Sequence, residues 1–367
     1  MKKVLILLIA WLILFGVTFA QRSTTADASG VQRAAGLIHD VHTFVSKTLG
    51  EERTVLVTLP RTYEKSDAKY PVVLMLDAHE PQNAMMAGIL EQQAWGGKIP
   101  ETILVGIQNT NRVRDLTPTS TERQSSGGGP KFLQFIETEV LPLVDKNYRT
   151  QPYRIFAGHS LGGLFVMYTF TEKPELFSGY IAASPVLHWD NKYVIKRAEA
   201  LFKIDREWKK RMFVSIGDEP EYVESFNAFQ ALIKREKPKD LDVEFRQFKD
   251  ENHGSVVLPA YYAGLRKIFE GWTLKQIGTL DEAESHFRLL SAHLGFSVLP
   301  SEGLLSSIGY ELWTNDQKDA AIRVFRRNTE IHPTLPRPFD NLATAYEKTG
   351  RLKQAREYYE KAYRVAE

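Results

Sequence analysis

Gly158-His159-Ser160-Leu161-Gly162-Gly163 lies between Arg154-Ile155-Phe156-Ala157, which reads as a buried strand, and Leu164-Phe165-Val166-Met167-Tyr168, which reads as helix. A serine between glycines at such a junction is the pattern of a nucleophile elbow, a sharp strand-to-helix turn that leaves the hydroxyl projecting into open space. Glycine is needed on both sides because strand and helix pass too close for a Cβ. The helix that follows points its free N–H groups at any oxyanion formed on the serine. The stretch therefore predicts an α/β fold with Ser160 as nucleophile.

The surrounding chain agrees. Short apolar runs at 54–59, 72–76, 103–106, 153–157, 180–183, 212–216 and 243–248 alternate with helix-like segments. Several are apolar throughout, as strands covered on both faces should be. Phe132, Phe135, Ile136 and Val140 mark one helical face, and Tyr222, Phe226, Phe229 and Ile233 another. This alternation predicts an α/β-hydrolase fold, a mostly parallel sheet with helices on both faces.

The pattern changes at about Trp272, where strand signals stop and a 34-residue period begins. Phe339, Leu342, Ala343, Tyr346, Ala355, Tyr359 and Ala362 fill the tetratricopeptide signature positions. One period earlier stand Leu305, Ile308, Gly309, Leu312, Ala321, Phe325 and Pro333, with Asn328 the one poor fit. A degenerate third copy is expected around Ala283 and Phe287. Two or three such helix pairs leave an apolar face open, so the tail is expected to dock on the catalytic domain. The expected plan is a leader over 1–20, a hydrolase domain over 21–270 and an all-α, tetratricopeptide-like tail over 271–367.

The leader rests on Lys2 and Lys3, an apolar run over 4–19, and Ala20 as the small residue before a cut. That is a secretory signal, and it predicts an exported protein, periplasmic or secreted, with no membrane span after cleavage. The 367 residues contain no cysteine, so disulfides and thiolate metal sites are excluded. A net charge of +2, with mixed signs in the basic run 203–211, argues against a nucleic-acid partner.

The remaining catalytic groups follow from chain order: serine, acid, histidine. His253, in Asn252-His253-Gly254 directly after the last strand run, is the expected base. The loop Gly217-Asp218-Glu219-Pro220-Glu221 follows the strand at 212–216 and carries three carboxylates. Spacing does not choose among them; Glu219 ranks first, then Glu221, then Asp218. The acid would accept the imidazole N–H and stabilise the imidazolium. Leu161, after the nucleophile, supplies one oxyanion N–H, and Ala78 or His79, after the strand at 72–76, is the candidate for the second. No metal or cofactor is expected, since no second ligand stands at metal-site spacing from His79.

These residues resemble the putative esterase family, which includes enterochelin esterases, feruloyl esterases and mycolyltransferases. The resemblance runs from about Ser46 to Phe269. Its carriers are Leu59-Pro60 before Tyr63, Tyr70-Pro71-Val72 leading to Leu76-Asp77, and Gly106-Ile107. They continue through Arg112 and Arg114 to Pro118, Gly127-Gly128, Gly158 to Gly163, Ser184-Pro185 before Trp189, and His253-Gly254. The segment 112–118 with the repeat tail is most similar to an exported bacterial subgroup related to the enterochelin and salmochelin hydrolases. The resemblance implies Ser160 as nucleophile and His253 as base, and it suggests Arg112 and Arg114 near the mouth of a substrate site, with a structural salt bridge to Asp115 or a nearby carboxylate as the equal alternative for the two arginines. One departure is Ala78, where the family carries glycine.

The expected function is that of a serine carboxylic ester hydrolase working through an acyl-enzyme on a small ester, a siderophore lactone or a feruloyl or acyl sugar ester. Acyl transfer by the same machinery is the alternative within enzymes. A non-catalytic scaffold that binds a protein partner through the repeats is the alternative outside them.

Overall fold

All seven apolar runs are strands in the computed structural model, which describes residues 32–33, 39–123, 125–273 and 278–367. The expected leader lies outside the described residues. The strands are β1 (Gln32–Arg33), β2 (His39–Val45), β3 (Glu52–Thr58), β4 (Tyr70–Met75), β5 (Ile103–Ile107), β6 (Thr150–His159), β7 (Gly179–Ala183), β8 (Lys210–Ile216) and β9 (Leu241–Gln247). They form one sheet in the order β1-β2-β3-β5-β4-β6-β7-β8-β9. The pairs β1/β2, β2/β3 and β3/β5 are antiparallel and the other five parallel.

Apolar patterning missed β2 because Asp40, His42 and Thr43 interrupt it. Those polar groups find partners across the fold. The Tyr148 hydroxyl donates to Asp40 Oδ2 at 3.0 Å and lies 2.5 Å from His42 Nε2.

Side chains alternate between the two faces of the sheet, and each face has its own core. Val73 and Met75 of β4 pack under α1 (Gln82–Trp95) and α8 (Val257–Ile268). Val72 and Leu74 point the other way. There they meet α2 (Arg112–Leu116), α3 (Gly129–Phe135), α4 (Leu141–Asn147), α5 (Leu161–Glu172), α6 (Trp189–Phe202) and α7 (Pro220–Glu236). A single π-helical stretch, Ile136–Val140, joins α3 to α4. Burial on both faces explains why the central strands read as unbroken apolar runs.

The tail is five helices: α9 (Leu280–Leu294), α10 (Glu302–Thr314), α11 (Lys318–Ile331), α12 (Pro336–Lys348) and α13 (Leu352–Ala366). α10 to α13 enclose a separate core built on Leu305, Ile308, Phe325, Leu342 and Tyr346. Gly309 is required there, since a Cβ would stand 2.4 Å from the Phe325 ring. α9 joins the two bodies. Its Ala283 enters the tail core, while Phe287, Leu290 and Leu294 enter the catalytic core beside Tyr153 and Phe269. The third copy reads as degenerate because its outer face is apolar and spent on docking. Asn328, the poor fit to the repeat, is fully buried: its Nδ2 donates to Glu302 O and to Ser306 Oγ, both at 3.2 Å, while its Oδ1 is buried without a partner.

Candidate active site

Three neighbouring parallel strands end in a residue with left-handed backbone that is not glycine: Asp77 after β4 (φ 58°), Ser160 after β6 (φ 59°) and Ser184 after β7 (φ 40°). Such conformations are costly for L-residues and collect at functional sites. They converge on the crevice at the carboxyl ends of the strands, where open α/β sheets bind ligands. At the elbow the expected close approach is present. A Cβ on Gly158 would lie 2.4 Å from Gly162 O, and one on Gly163 would lie 3.0 Å from Ala183 O. The Ser160 N–H is held by Ala183 O at 2.9 Å, which fixes the turn to the neighbouring strand.

His253 stands on the loop between β9 and α8, with Nε2 3.0 Å from Ser160 Oγ. Its Nδ1 hydrogen-bonds Glu219 Oε1. Glu219 is only 3% exposed. Its second oxygen, Oε2, accepts from the Gly217 N–H at 2.7 Å and from the Ser184 hydroxyl. Burial pushes the Glu219 carboxyl up, but the bonds from Ser184, Gly217 and His253 outweigh it and hold the group below the ordinary carboxylate range. Asp218 and Glu221 are both exposed. Of the three carboxylates on the loop, the fold brings only Glu219 to the imidazole.

The oxyanion expectation is corrected at its second donor, since the backbone N–H groups of both Ala78 and His79 are engaged elsewhere. The Ala78 N–H donates to Ile107 O at 3.1 Å, and Ala78 is fully buried, so that group does not face the crevice. The His79 N–H closes a tight turn on Asp77 O at 2.8 Å, with its side chain lining the cleft. Leu161 opens α5, and a first-turn N–H has no acceptor within its own helix. The left-handed residue of this loop is Asp77, so alanine at 78 carries no backbone penalty.

The cleft beside the serine, of about 470 Å³, is lined by Asp77, His79, Asn109, Arg112, His159 and Tyr261 among others. Arg112 is anchored rather than free. Its Nε and Nη2 donate to the two Asp77 oxygens at 2.7 and 2.9 Å, and Nη2 also donates to His159 O at 3.2 Å. Arg114 does not reach the cleft. Its guanidinium donates to Asp115 at 2.7 Å and to Glu51 at 3.1 Å, in a cluster shared with buried Arg53. Residues two apart on a helix point to different sides, so α2 sends Arg112 to the site and Arg114 to the half-buried cluster with Glu51 and Asp115.

Two residues at the site escaped sequence reasoning. Tyr222, read as part of an apolar helical face, is half-buried beside Ser160. Its ring centroid lies 5.1 Å from that of His253. Burial raises its phenol above the ordinary range, against the opposing effect of nearby Ser160, and keeps it protonated. His159 also packs on His253, at 4.5 Å between centroids. Burial and then the nearby His253 hold the His159 imidazole down to about 4, so it is neutral at pH 7. Only the position of Tyr222 just after the acidic loop could have signalled its role.

A family model described as Putative esterase matches residues 46–262, and a tetratricopeptide repeat model matches residues 337–367. The chain is 27% identical over 272 residues to ferri-bacillibactin esterase BesA of Bacillus subtilis (strain 168), covering 65% of this chain and 92% of that one. It is 29% identical over 177 residues to a siderophore enterobactin esterase of Emericella nidulans, covering 40% of this chain and 58% of the relative. Among solved structures, an IroE-like serine hydrolase from Shewanella oneidensis superposes with a TM-score of 0.71 at 28% identity, covering 80% of this chain and 99% of that one.

Proposed function

The chain belongs to the Putative esterase family and is an ester hydrolase, and from that premise we propose that Ser160, His253 and Glu219 are its catalytic triad and a siderophore-type lactone its substrate. The observation that carries the triad is the continuous line of hydrogen bonds from Ser160 Oγ through both imidazole nitrogens to Glu219. His253 Nε2 takes the hydroxyl proton as Oγ attacks the ester carbonyl, and Nδ1–H donates to Glu219, which stabilises the imidazolium. The charge on the carbonyl oxygen is met by the Leu161 N–H at the positive end of α5. The imidazolium then protonates the leaving alcohol. Water, activated by the same imidazole, attacks the acyl-serine and restores the hydroxyl.

The substrate class is supported by relatives named for siderophore esters, BesA and the enterobactin esterase. The Arg112 guanidinium and the His79 and Asn109 side chains in the cleft suit an acyl group rich in acceptor oxygens. The charged and apolar pattern of residues 1–20 supports export, and the repeats offer a surface for a protein partner.

The test is a substrate screen of the chain from residue 21 onward. A triscatecholate lactone should be hydrolysed with kcat/KM at least about tenfold above feruloyl sugars and short acyl esters, the scale of a few well-placed polar contacts. Equal or better cleavage of the other two classes would reject the substrate assignment. Ser160→Ala and His253→Ala should each lower kcat on the order of 10⁵-fold, and the double variant should be no slower than either, because the residues act as one unit. Retention of more than a few per cent of activity by either single variant would reject the triad.

A further inference from the structure

Glu219 is gripped from two sides, and the grip on the far side comes from an unusual residue. Ser184 is completely buried, and its N–H donates to Ser215 O at 2.7 Å. Its hydroxyl donates to Glu219 Oε2, the oxygen that does not face His253. It does so from a left-handed backbone with φ 40°. Glycine would relieve that conformation but would carry no hydroxyl. The turn is also pressed against the nucleophile helix, since a Cβ on Gly163 would lie 3.0 Å from both Ala183 O and Pro185 Cα. A strained residue persists where the surrounding structure over-determines it, and here the strain delivers one donor to one carboxylate oxygen.

We propose that Ser184 is a positioning residue of the reaction, holding Glu219 ionised and oriented so that the carboxylate can keep His253 aligned on Ser160. This rests on the Ser160–His253–Glu219 reading above. The physical need is plain. A carboxylate that is 3% exposed must be compensated by donors. Oε2 has two, the Gly217 N–H and the Ser184 hydroxyl. Removing the hydroxyl leaves one, which makes the carboxylate more basic and free to turn about its Cγ–Cδ bond. Asp77 offers a parallel at the next switch of the sheet: another left-handed residue at a strand end whose side chain fixes a site group, Arg112. The nucleophile thus sits between two strained turns, each of which immobilises a polar neighbour.

The experiment compares Ser184→Ala, Ser184→Gly, Glu219→Gln and Ser184→Ala/Glu219→Gln in the full exported chain, with Ser160→Ala and His253→Ala in the same assay. Ser184→Ala should lower kcat about 10- to 100-fold with KM within about twofold, the range typical of removing an outer partner of a reacting group. The acid limb of its pH–kcat/KM profile should move to higher pH, because a more basic carboxylate is protonated earlier and holds the imidazolium proton more tightly. Ser184→Gly, which accepts the backbone without strain, should show the same loss, so a folding defect of the alanine variant cannot mimic the result. In the Glu219→Gln background the Ser184→Ala change should cost less than about twofold, since the group it acts through is gone. Full kcat in both Ser184 variants with an unmoved acid limb would overturn the proposal. So would an equal loss with and without Glu219. Activity surviving in Ser160→Ala or His253→Ala would instead bring down the triad reading itself, a separable outcome.

Discussion

Glu219 differs from Asp218 and Glu221 in environment, not in chemistry. It is 3% exposed and carries three hydrogen bonds, whereas its two neighbours face solvent. Glu219→Gln should therefore lower kcat roughly 10⁴-fold, as expected when the acid no longer sets the imidazole tautomer. Glu221→Gln and Asp218→Asn should stay within about twofold, measured by steady-state hydrolysis. Buried imidazoles set a second expectation. His159 and His293 are both held down to about 4 by burial, with His253 and Arg211 respectively adding to it. In the unfolded chain both return to about 6.5. Between these values the unfolded state binds more protons, so stability rises with pH across the window and is lost on acidification through it. For His159 the loss between pH 7 and pH 4.5 should be roughly 2 kcal/mol. Denaturant midpoints at the two pH values should show it, and His159→Gln should shrink the difference.

At the scale of elements, the catalytic half and the tail are built by different rules. In the sheet, the strands are uniformly apolar because both faces are covered, and positions are distinguished by where each strand ends. In the tail, closeness between paired helices is set by single small residues. Gly309 faces the Phe325 ring so tightly that a methyl group there needs the ring or a helix to move. Gly309→Ala should destabilise by about 1 to 3 kcal/mol, the usual cost of overpacking, although alanine has the better helix propensity. Thermal melts followed by circular dichroism should show it without loss of esterase turnover at 25 °C. The polar network of Asn328, Ser306, Asn341 and Tyr310 crosses the same core, with donor–acceptor distances of 3.2, 3.0 and 2.5 Å in chain. It explains how a repeat position that normally takes a small apolar residue holds an amide.

For the whole molecule, the decisive element is α9. It donates Phe287, Leu290 and Leu294 to the core under α1 and α8, and Ala283 to the core of the repeats. Phe296 adds an edge contact to Tyr153, with 6.3 Å between centroids. The tail is thus docked through its first helix. A chain cut after residue 300 keeps those side chains and should retain fluorophosphonate labelling of Ser160 in a soluble protein. A chain cut after residue 272 exposes the patch they cover. Its melting midpoint should fall by on the order of 10 °C, given about 1.5 to 3 kcal/mol for each large apolar side chain lost. Equal midpoints for the two truncations would contradict a structural role for α9.

Local patterns specify local things. Apolar runs and repeats predicted the strands from β3 to β9, the helical tail and its register, because one- or two-sided burial imprints a period on the chain. The elbow predicted Ser160, and chain order predicted His253 and an acid in the loop 217–221. The tertiary structure chose among equals. It sent Glu219 inward while leaving Asp218 and Glu221 in solvent, tied the Ala78 N–H to Ile107, and turned Arg114 toward Glu51 and Asp115. It also brought Tyr222 to the site and the Ser184 hydroxyl onto Glu219, contacts that no motif announced, and paired the polar strand β2. For Glu219, Ala78 and Ser184 the deciding partner lies about 30 residues or more away in the chain. A sequence period records how much of a residue is buried, whereas the identity of what it meets is set only when distant strands and loops come together.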